Sequence, residues 1–177
     1  MKKLLFIVAL ILISGCGNVN NAIIKTNMGD MEFKLSDAAP ETVENFVKLS
    51  KEGFYDGIRF HRVIKNFMIQ TGDPLSKDLS KKHLWGTGGP GYTIKDEFSK
   101  ELRHNKKGLL SMANSGPDSG GSQFFITLIP TPWLDDKHAI FGEIISGEEV
   151  LDKIGKVATD GGDQPLKDII IEKVIIS

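Results

Sequence analysis

The stretch that most limits what this chain can fold into runs from Phe60 to Asp73, FHRVIKNFMIQTGD. Its first half alternates, with Phe60, Arg62 and Ile64 on one side and His61 and Val63 on the other, the two-residue period of a strand. Lys65 and Asn66 read as a turn, and Phe67 to Gln70 resume as a second short strand. Apolar alternation of this kind predicts a core element, yet it sets Arg62 on the side of Phe60 and Ile64. A guanidinium in such a place needs partners, because burying an unpaired charge is strongly unfavourable. Two arrangements satisfy it: an ion pair with an acid, or a position at the mouth of an apolar pocket that a ligand fills. Taken alone, the stretch favours the ion-paired or snorkelling arginine.

The rest of the chain repeats short strands and tight turns. Ala22 to Thr26 and Met31 to Leu35 read as a hairpin about Asn27 to Asp30. A helix follows: Pro40 suits its first turn, Glu41 and Glu44 favour the positive end of its dipole, Val43, Phe46 and Val47 form its apolar stripe, and Gly53 ends it. Further strands are predicted over Gly108 to Met112, Gln123 to Leu128, Ala139 to Ile144 and Ile169 to Ile176. Val150, Leu151 and Ile154 mark a second short helix within Gly147 to Ile154. A chain of 177 residues with 19 glycines and this order of elements predicts one mainly-β domain, an antiparallel barrel. Between the strands, Leu75 to Lys82 is polar and lysine-rich. Gly86, Gly88 and Gly91 match a dinucleotide-loop spacing, but no apolar strand precedes them and Tyr92-Thr93-Ile94 stand where a helix should begin, so they read as turns.

Residues 1–15 stand apart from that domain. Met1-Lys2-Lys3 is basic, Leu4 to Ile13 is an apolar run too short to span a bilayer comfortably, and Ile13-Ser14-Gly15 precede the only cysteine, Cys16. Small residues before a lone cysteine resemble the lipobox of bacterial lipoproteins, which implies cleavage before Cys16 and lipid attachment to it. An ordinary secretion signal with an incidental cysteine is the alternative. The expected organisation is a signal peptide over residues 1–15, a lipidated cysteine and polar tether over 16–21, and a folded domain over 22–177. Gly17 to Asn21 reach at most about 17 Å, so the domain is expected close to the extracytoplasmic face of the cell membrane. The net charge of −1 gives no reason to expect nucleic acid as a partner.

Several chemistries are set aside on residue types alone. The domain has no cysteine nucleophile and no serine in a G-x-S-x-G elbow. His61, His83, His104 and His138 fall in no metal-binding spacing, and neither a metal nor a cofactor is expected. Ser122, Asp135 and His138 can in principle form a triad, although nothing in their spacing singles them out. What the chain offers instead is apolar bulk in Phe67, Met68, Phe125, Trp133 and Leu134, interleaved with Arg62, Gln70, Asn114, Gln123 and His138. Together these suit a pocket for something small and apolar attached to a peptide-like group. Singly, each reads as well as core packing or loop hydrogen bonding.

Three segments, FHRVIKNFMIQTGD, GLLSMANSGPDSGGSQFFIT and WLDDKHAIFGEI, closely resemble the core motifs of the cyclophilin family of peptidyl-prolyl isomerases. The resemblance runs from about Ile23 to the C-terminus. It implies an eight-stranded closed antiparallel β-barrel capped by two α-helices. It also implies that Arg62 is the catalytic donor, and that Phe67, Met68, Gln70, Ala113, Asn114, Gln123, Phe125, Trp133, Leu134 and His138 line a groove for proline-containing polypeptide segments. With the leader, the expected clients are exported proteins, and a monomer is expected. A tryptophan at the Trp133 position is associated in the family with cyclosporin binding. The sequence departs from many relatives in the longer, lysine-rich Leu75 to Trp85 loop and in the small Ser119-Gly120 pair. Isomerisation transfers no proton, so only a weak pH dependence of kcat/KM is expected between about 6 and 8.

Overall fold

The computed structural model describes residues 21–177, so the predicted signal peptide, Cys16 and all but the last tether residue lie outside the described residues. Strands β1 (Asn21–Thr26) and β2 (Gly29–Leu35) form the expected hairpin, with Thr26 opposite Gly29. The Thr26 hydroxyl closes the turn, donating to Gly29 O at 2.7 Å and accepting from Met28 N at 3.1 Å. Gly29 has a φ of +126°, and a Cβ there would lie 2.7 Å from Val150 Cγ2, so both backbone and space require glycine.

Helix α1 (Pro40–Lys51) follows, then β3 (Arg62–Ile64), β4 (Met68–Thr71), β5 (Leu109–Met112), β6 (Phe124–Thr127), β7 (Ile140–Ser146), helix α2 (Glu148–Ile154) and β8 (Ile171–Ile176). All strand pairs are antiparallel, in the order β3-β4-β6-β5-β7-β2-β1-β8. This is the expected mainly-β fold of eight strands and two helices. The strand ladder, however, is open where a closed one was expected. β3 has only three residues, and the chain before β8 is loop, so the two edges share no strand ladder. The seam is stitched by backbone bonds: Gly57 N to Ile171 O, Ile171 N to Ile58 O, Phe60 N to Ile169 O and Val63 N to Asp163 O, each 2.8–2.9 Å. A single bridge, Arg59 with Ile170, completes it.

The core lies inside the curled sheet and under the helices. Phe46 of α1 meets Tyr55, Phe124 and Phe141 at ring-centroid distances of 5.3–5.5 Å, edge-on to Phe124. Val150, Leu151 and Ile154 of α2 are buried over β2. In α1 the buried residues are Thr42, Asn45, Phe46, Leu49 and Ser50, whereas Val43 and Val47 of the expected stripe are half-buried. The helix therefore lies rotated from the orientation its valines suggest, because Asn45 and Thr42 find partners in loops of distant sequence.

Candidate active site

Strand register builds the site. Arg62 of β3 pairs with Gln70 of β4, Gln70 with Phe125 of β6, and Phe125 with Ser111 of β5. Residues directly opposite in adjacent strands share a face, so these four form a row on one side of the sheet. The neighbouring row, Val63, Ile69, Ile126 and Leu110, is buried and faces the core. Arg62 is thus exposed on the outer face and is not a core arginine. The expectation that it shares the side of Phe60 fails because Phe60 and His61 lie before β3, where both are buried and the two-residue period is broken. Asn66, in left-handed backbone at φ 58°, turns the chain between β3 and β4, and Phe67 belongs to that turn rather than to the strand.

A cavity of about 180 Å³ opens over this row, lined by Arg62, Phe67, Met68, Gln70, Ala113, Asn114, Phe125, Leu134 and His138. Gln123, also expected in the groove, lines a neighbouring depression of about 470 Å³ that shares Gln70, Ala113 and Asn114 with the first. Trp133 lines neither cavity. It stands at the rim, 54% exposed, with its ring 6.1 Å from that of Phe67 and tilted 30° to it.

Arg62 Nε lies 3.8 Å from Asp163 Oδ2, and both side chains are nearly half exposed. The arginine therefore has an acid beside it and a pocket in front of it. Asp163, which no periodicity in the sequence marks, is held in left-handed backbone at φ 62° by the Asp160 loop. Gln70 Nε2 donates to Gln123 Oε1 at 3.0 Å, and Gln123 Nε2 donates to Gly86 O and Gly88 O at 3.0 and 2.8 Å. This relay fixes the Gln70 amide and leaves its second N–H for a ligand. The Asn114 side chain is engaged, donating to Lys137 O in the segment before β7 and accepting from Gly116 N in its own loop, so its backbone is the part free to bind.

His138 Nδ1 donates to Met112 O at 2.9 Å, and the ring stands edge-on to Phe125 at 5.3 Å. The buried His104 ring also meets Phe125, 6.2 Å away and nearly parallel to it. His104 Nδ1 donates to Asp135 Oδ1 at 2.9 Å, so Nε2 accepts from Ser111 Oγ at 3.0 Å. Burial lowers the His104 pKa, against the pull of Asp135. The possible Ser122–His138–Asp135 triad is excluded. Asp135 serves His104, and Ser122 Oγ donates to Gly72 O. Among the described residues no group of three or more His, Cys, Asp or Glu side chains can hold a metal ion. The Gly86 to Gly91 loop leads into no helix, as its reading as turns requires.

The family model for "Cyclophilin type peptidyl-prolyl cis-trans isomerase" matches residues 22–176. The chain belongs to the cyclophilin-type peptidyl-prolyl cis-trans isomerase family. A relative of similar size, the peptidyl-prolyl cis-trans isomerase ppi1 of Schizosaccharomyces pombe, is 45% identical over 156 residues, covering 88% of this chain and 97% of that one. The Arabidopsis thaliana peptidyl-prolyl cis-trans isomerase CYP71 is 47% identical over 157 residues, 88% of this chain. The chain spans only about a quarter (24%) of that relative's length. Among solved structures, a Cryptosporidium parvum cyclophilin-type isomerase superposes with a TM-score of 0.83 at 37% identity, covering 90% of this chain and 98% of that one. The same protein was also solved in the presence of the dipeptide Ala-Pro. Asp163, His104 and the Glu97 cap of α1 are what sequence reasoning missed. Their partners come from remote loops, and no local spacing signals them.

Proposed function

We propose that this chain catalyses cis-trans isomerisation of X-Pro bonds in exported proteins, assisting their folding, while lipid on Cys16 holds it at the extracytoplasmic face of a membrane. The observation that carries the isomerase reading is the row Arg62–Gln70–Phe125 beneath a small cavity in which Phe67, Met68, Phe125 and Leu134 are set among Arg62, Gln70, Asn114 and His138. Rotation about a peptide bond faces a barrier of roughly 18–20 kcal/mol, while the two X-Pro isomers differ by about 1 kcal/mol or less. Lowering that barrier needs no nucleophile. It needs a site that binds the twisted amide better than either planar form.

Twisting restores the lone pair on the proline nitrogen. Arg62 donates to that nitrogen, an interaction that gains strength only as the amide twists. With Nε beside Asp163, the terminal N–H groups of the guanidinium are the donors left for the substrate. Phe67, Met68, Phe125, Leu134 and the His138 ring grip the pyrrolidine. Gln70 and the Asn114 backbone hold the carbonyl side. A rate gain of about 10⁵ requires roughly 7 kcal/mol, within reach of one partly desolvated charged hydrogen bond together with positioning. No cofactor takes part in this scheme.

The lipid anchor and the extracytoplasmic location rest on the leader alone: the basic start, the apolar run and the small residues before Cys16. The cyclosporin reading rests on Trp133, exposed at the rim against Phe67. Exchange of an X-Pro peptide, followed by NMR with the full chain in neutral detergent, tests the function. Accelerated exchange that is lost in Arg62→Ala is expected. Peptide binding without faster exchange would make the chain a binding module instead.

A further inference from the structure

The lysine-rich excursion between Asp73 and Gly86 takes no part in the scheme above, yet the chain holds it firmly. It consists of two short 3-10 helices, Pro74–Lys77 and Leu79–Leu84. The Asp73 carboxylate anchors its two ends, accepting from Leu75 N at 2.7 Å, from Gly88 N at 3.1 Å and from Gly86 N. A Cβ at Gly88 would fall 2.1 Å from Asp73 Oδ1, so that closure requires glycine. Asp78 caps the second helix through Ser80 N, and Trp85 Nε1 donates to Asp78 O. From below, Arg59 Nη1 donates to Ser76 O and Lys77 O, and the guanidinium lies 5.7 Å from the Trp85 ring.

All this fixes a ridge that faces outward. Every residue from Lys77 to Leu84 is exposed, including Leu79 at 59% and Leu84 at 40%. Lys77, Lys81 and Lys82 stand on it; Asp78 pairs with Lys81 at 3.7 Å, and Lys82 acts on the Asp160 carboxylate nearby, which leaves three cations against two acids. The ridge runs directly into Gly86–Gly88, whose carbonyls hold Gln123, which in turn holds Gln70 in the catalytic pocket. The depression of about 470 Å³ shares Gln70, Ala113 and Asn114 with the catalytic pocket and is walled on its other flank by Gly86, Thr87 and Gly88, the residues that directly follow the ridge in the chain.

We infer that the Lys77–Trp85 ridge is a docking surface for an acidic segment of the client polypeptide, a few residues away from the prolyl bond. The inference rests on the isomerase reading. A client seated in the pocket and leaving over the Gln70–Gln123 pair reaches the ridge next, where carboxylates meet the three lysines and an apolar residue covers Leu79 or Leu84. An anionic membrane is the other occupant that cations and exposed leucines suit, but the position of the ridge disfavours it. Arg59, under the ridge, pairs with Asp168, and Asn27 Nδ2 donates to Asp168 O. The ridge therefore lies at the Asn27 end of β1, whereas the tether joins at Asn21, about 17 Å along the strand at 3.3 Å per residue.

The test uses the full chain in neutral detergent and Ala-Pro peptides carrying two glutamates, three to five residues from the proline, on one flank or the other, with glutamine peptides as controls. For one flank only, glutamate is expected to raise kcat/KM about fivefold at low salt, through KM, and the gain should fade with ionic strength. A Lys77→Gln, Lys81→Gln, Lys82→Gln variant should lose that gain and keep the wild-type rate on glutamine peptides. The single Lys82→Gln change guards against misfolding of the triple variant and should lose part of the gain. Fluorescence anisotropy with the same peptides reads the ridge even if turnover is absent, so failure of the isomerase reading is seen separately. No glutamate effect on either flank, or an effect that survives in the triple variant, overturns the inference. So does a triple variant that loses binding to phosphatidylserine vesicles while its response to glutamate peptides stays intact.

Discussion

Arg62 carries the proposed chemistry from an exposed position, with Asp163 3.8 Å from Nε and the pocket in front. Arg62→Ala should lower kcat/KM about 10²- to 10³-fold, the usual loss for one transition-state donor, with far-UV circular dichroism unchanged. Asp163→Asn should cost only about two- to threefold, less at high salt, because an ion pair this exposed is weak. The adjacent residue behaves differently. His61 is buried, its ring nitrogens have no hydrogen-bond partner among the described residues, and burial lowers its pKa from 6.5 to about 4. Below pH 6.5 the unfolded chain takes up a proton that the native state refuses until about pH 4. The stability this group contributes is therefore present above pH 6.5 and lost as pH falls through about 4. Thermal unfolding should show Tm falling across that window, and His61→Gln should flatten the fall. That His61 is inside and Arg62 outside was not legible from FHRVI, since a two-residue period cannot show where a strand begins.

Among the elements, α1 shows most clearly what local sequence omits. Its dipole was expected to be met by Glu41 and Glu44. Glu41 does stand in the first turn, and Glu97, from a loop after the glycine turns, adds the hydrogen bonds, accepting from Glu41 N at 3.1 Å, Thr42 N at 2.6 Å and Thr42 Oγ1 at 2.7 Å. Ala39 at the N-cap offers no side chain for the purpose. Glu97→Ala should lower stability by about 1 kcal/mol, measured by chemical unfolding, while leaving peptide turnover unchanged. Strand existence was legible throughout, because apolar alternation in β1 and β2 and the apolar runs of β5 to β8 need no partner to be seen. The barrel seam was not, since it depends on loop backbone meeting Ile169 and Ile171 from more than a hundred residues away.

At the scale of the whole molecule, membrane attachment and drug sensitivity are the properties to test. If Cys16 is lipidated, wild type should partition into the detergent phase and Cys16→Ser into the aqueous phase. Cyclosporin at micromolar concentration should inhibit isomerisation, and Trp133→Ala should relieve the inhibition more than it lowers turnover, because Trp133 stands at the rim and outside the cavity lining. Unchanged activity with the drug would remove that reading.

By itself the sequence determined the mainly-β class and the two helices, because periodicity, turn chemistry and residue type are local properties, whereas the expected groove residues followed from the resemblance of three segments to the family motifs. Nine of the eleven expected groove residues line one cavity. Only the tertiary structure decided that Arg62 faces outward, that Asp135 serves His104 rather than a triad, that Asp163 stands beside the arginine, and that a pinned cationic ridge adjoins the groove. Each of those depends on register and on contacts between residues far apart in the chain, which no spacing along a single strand contains.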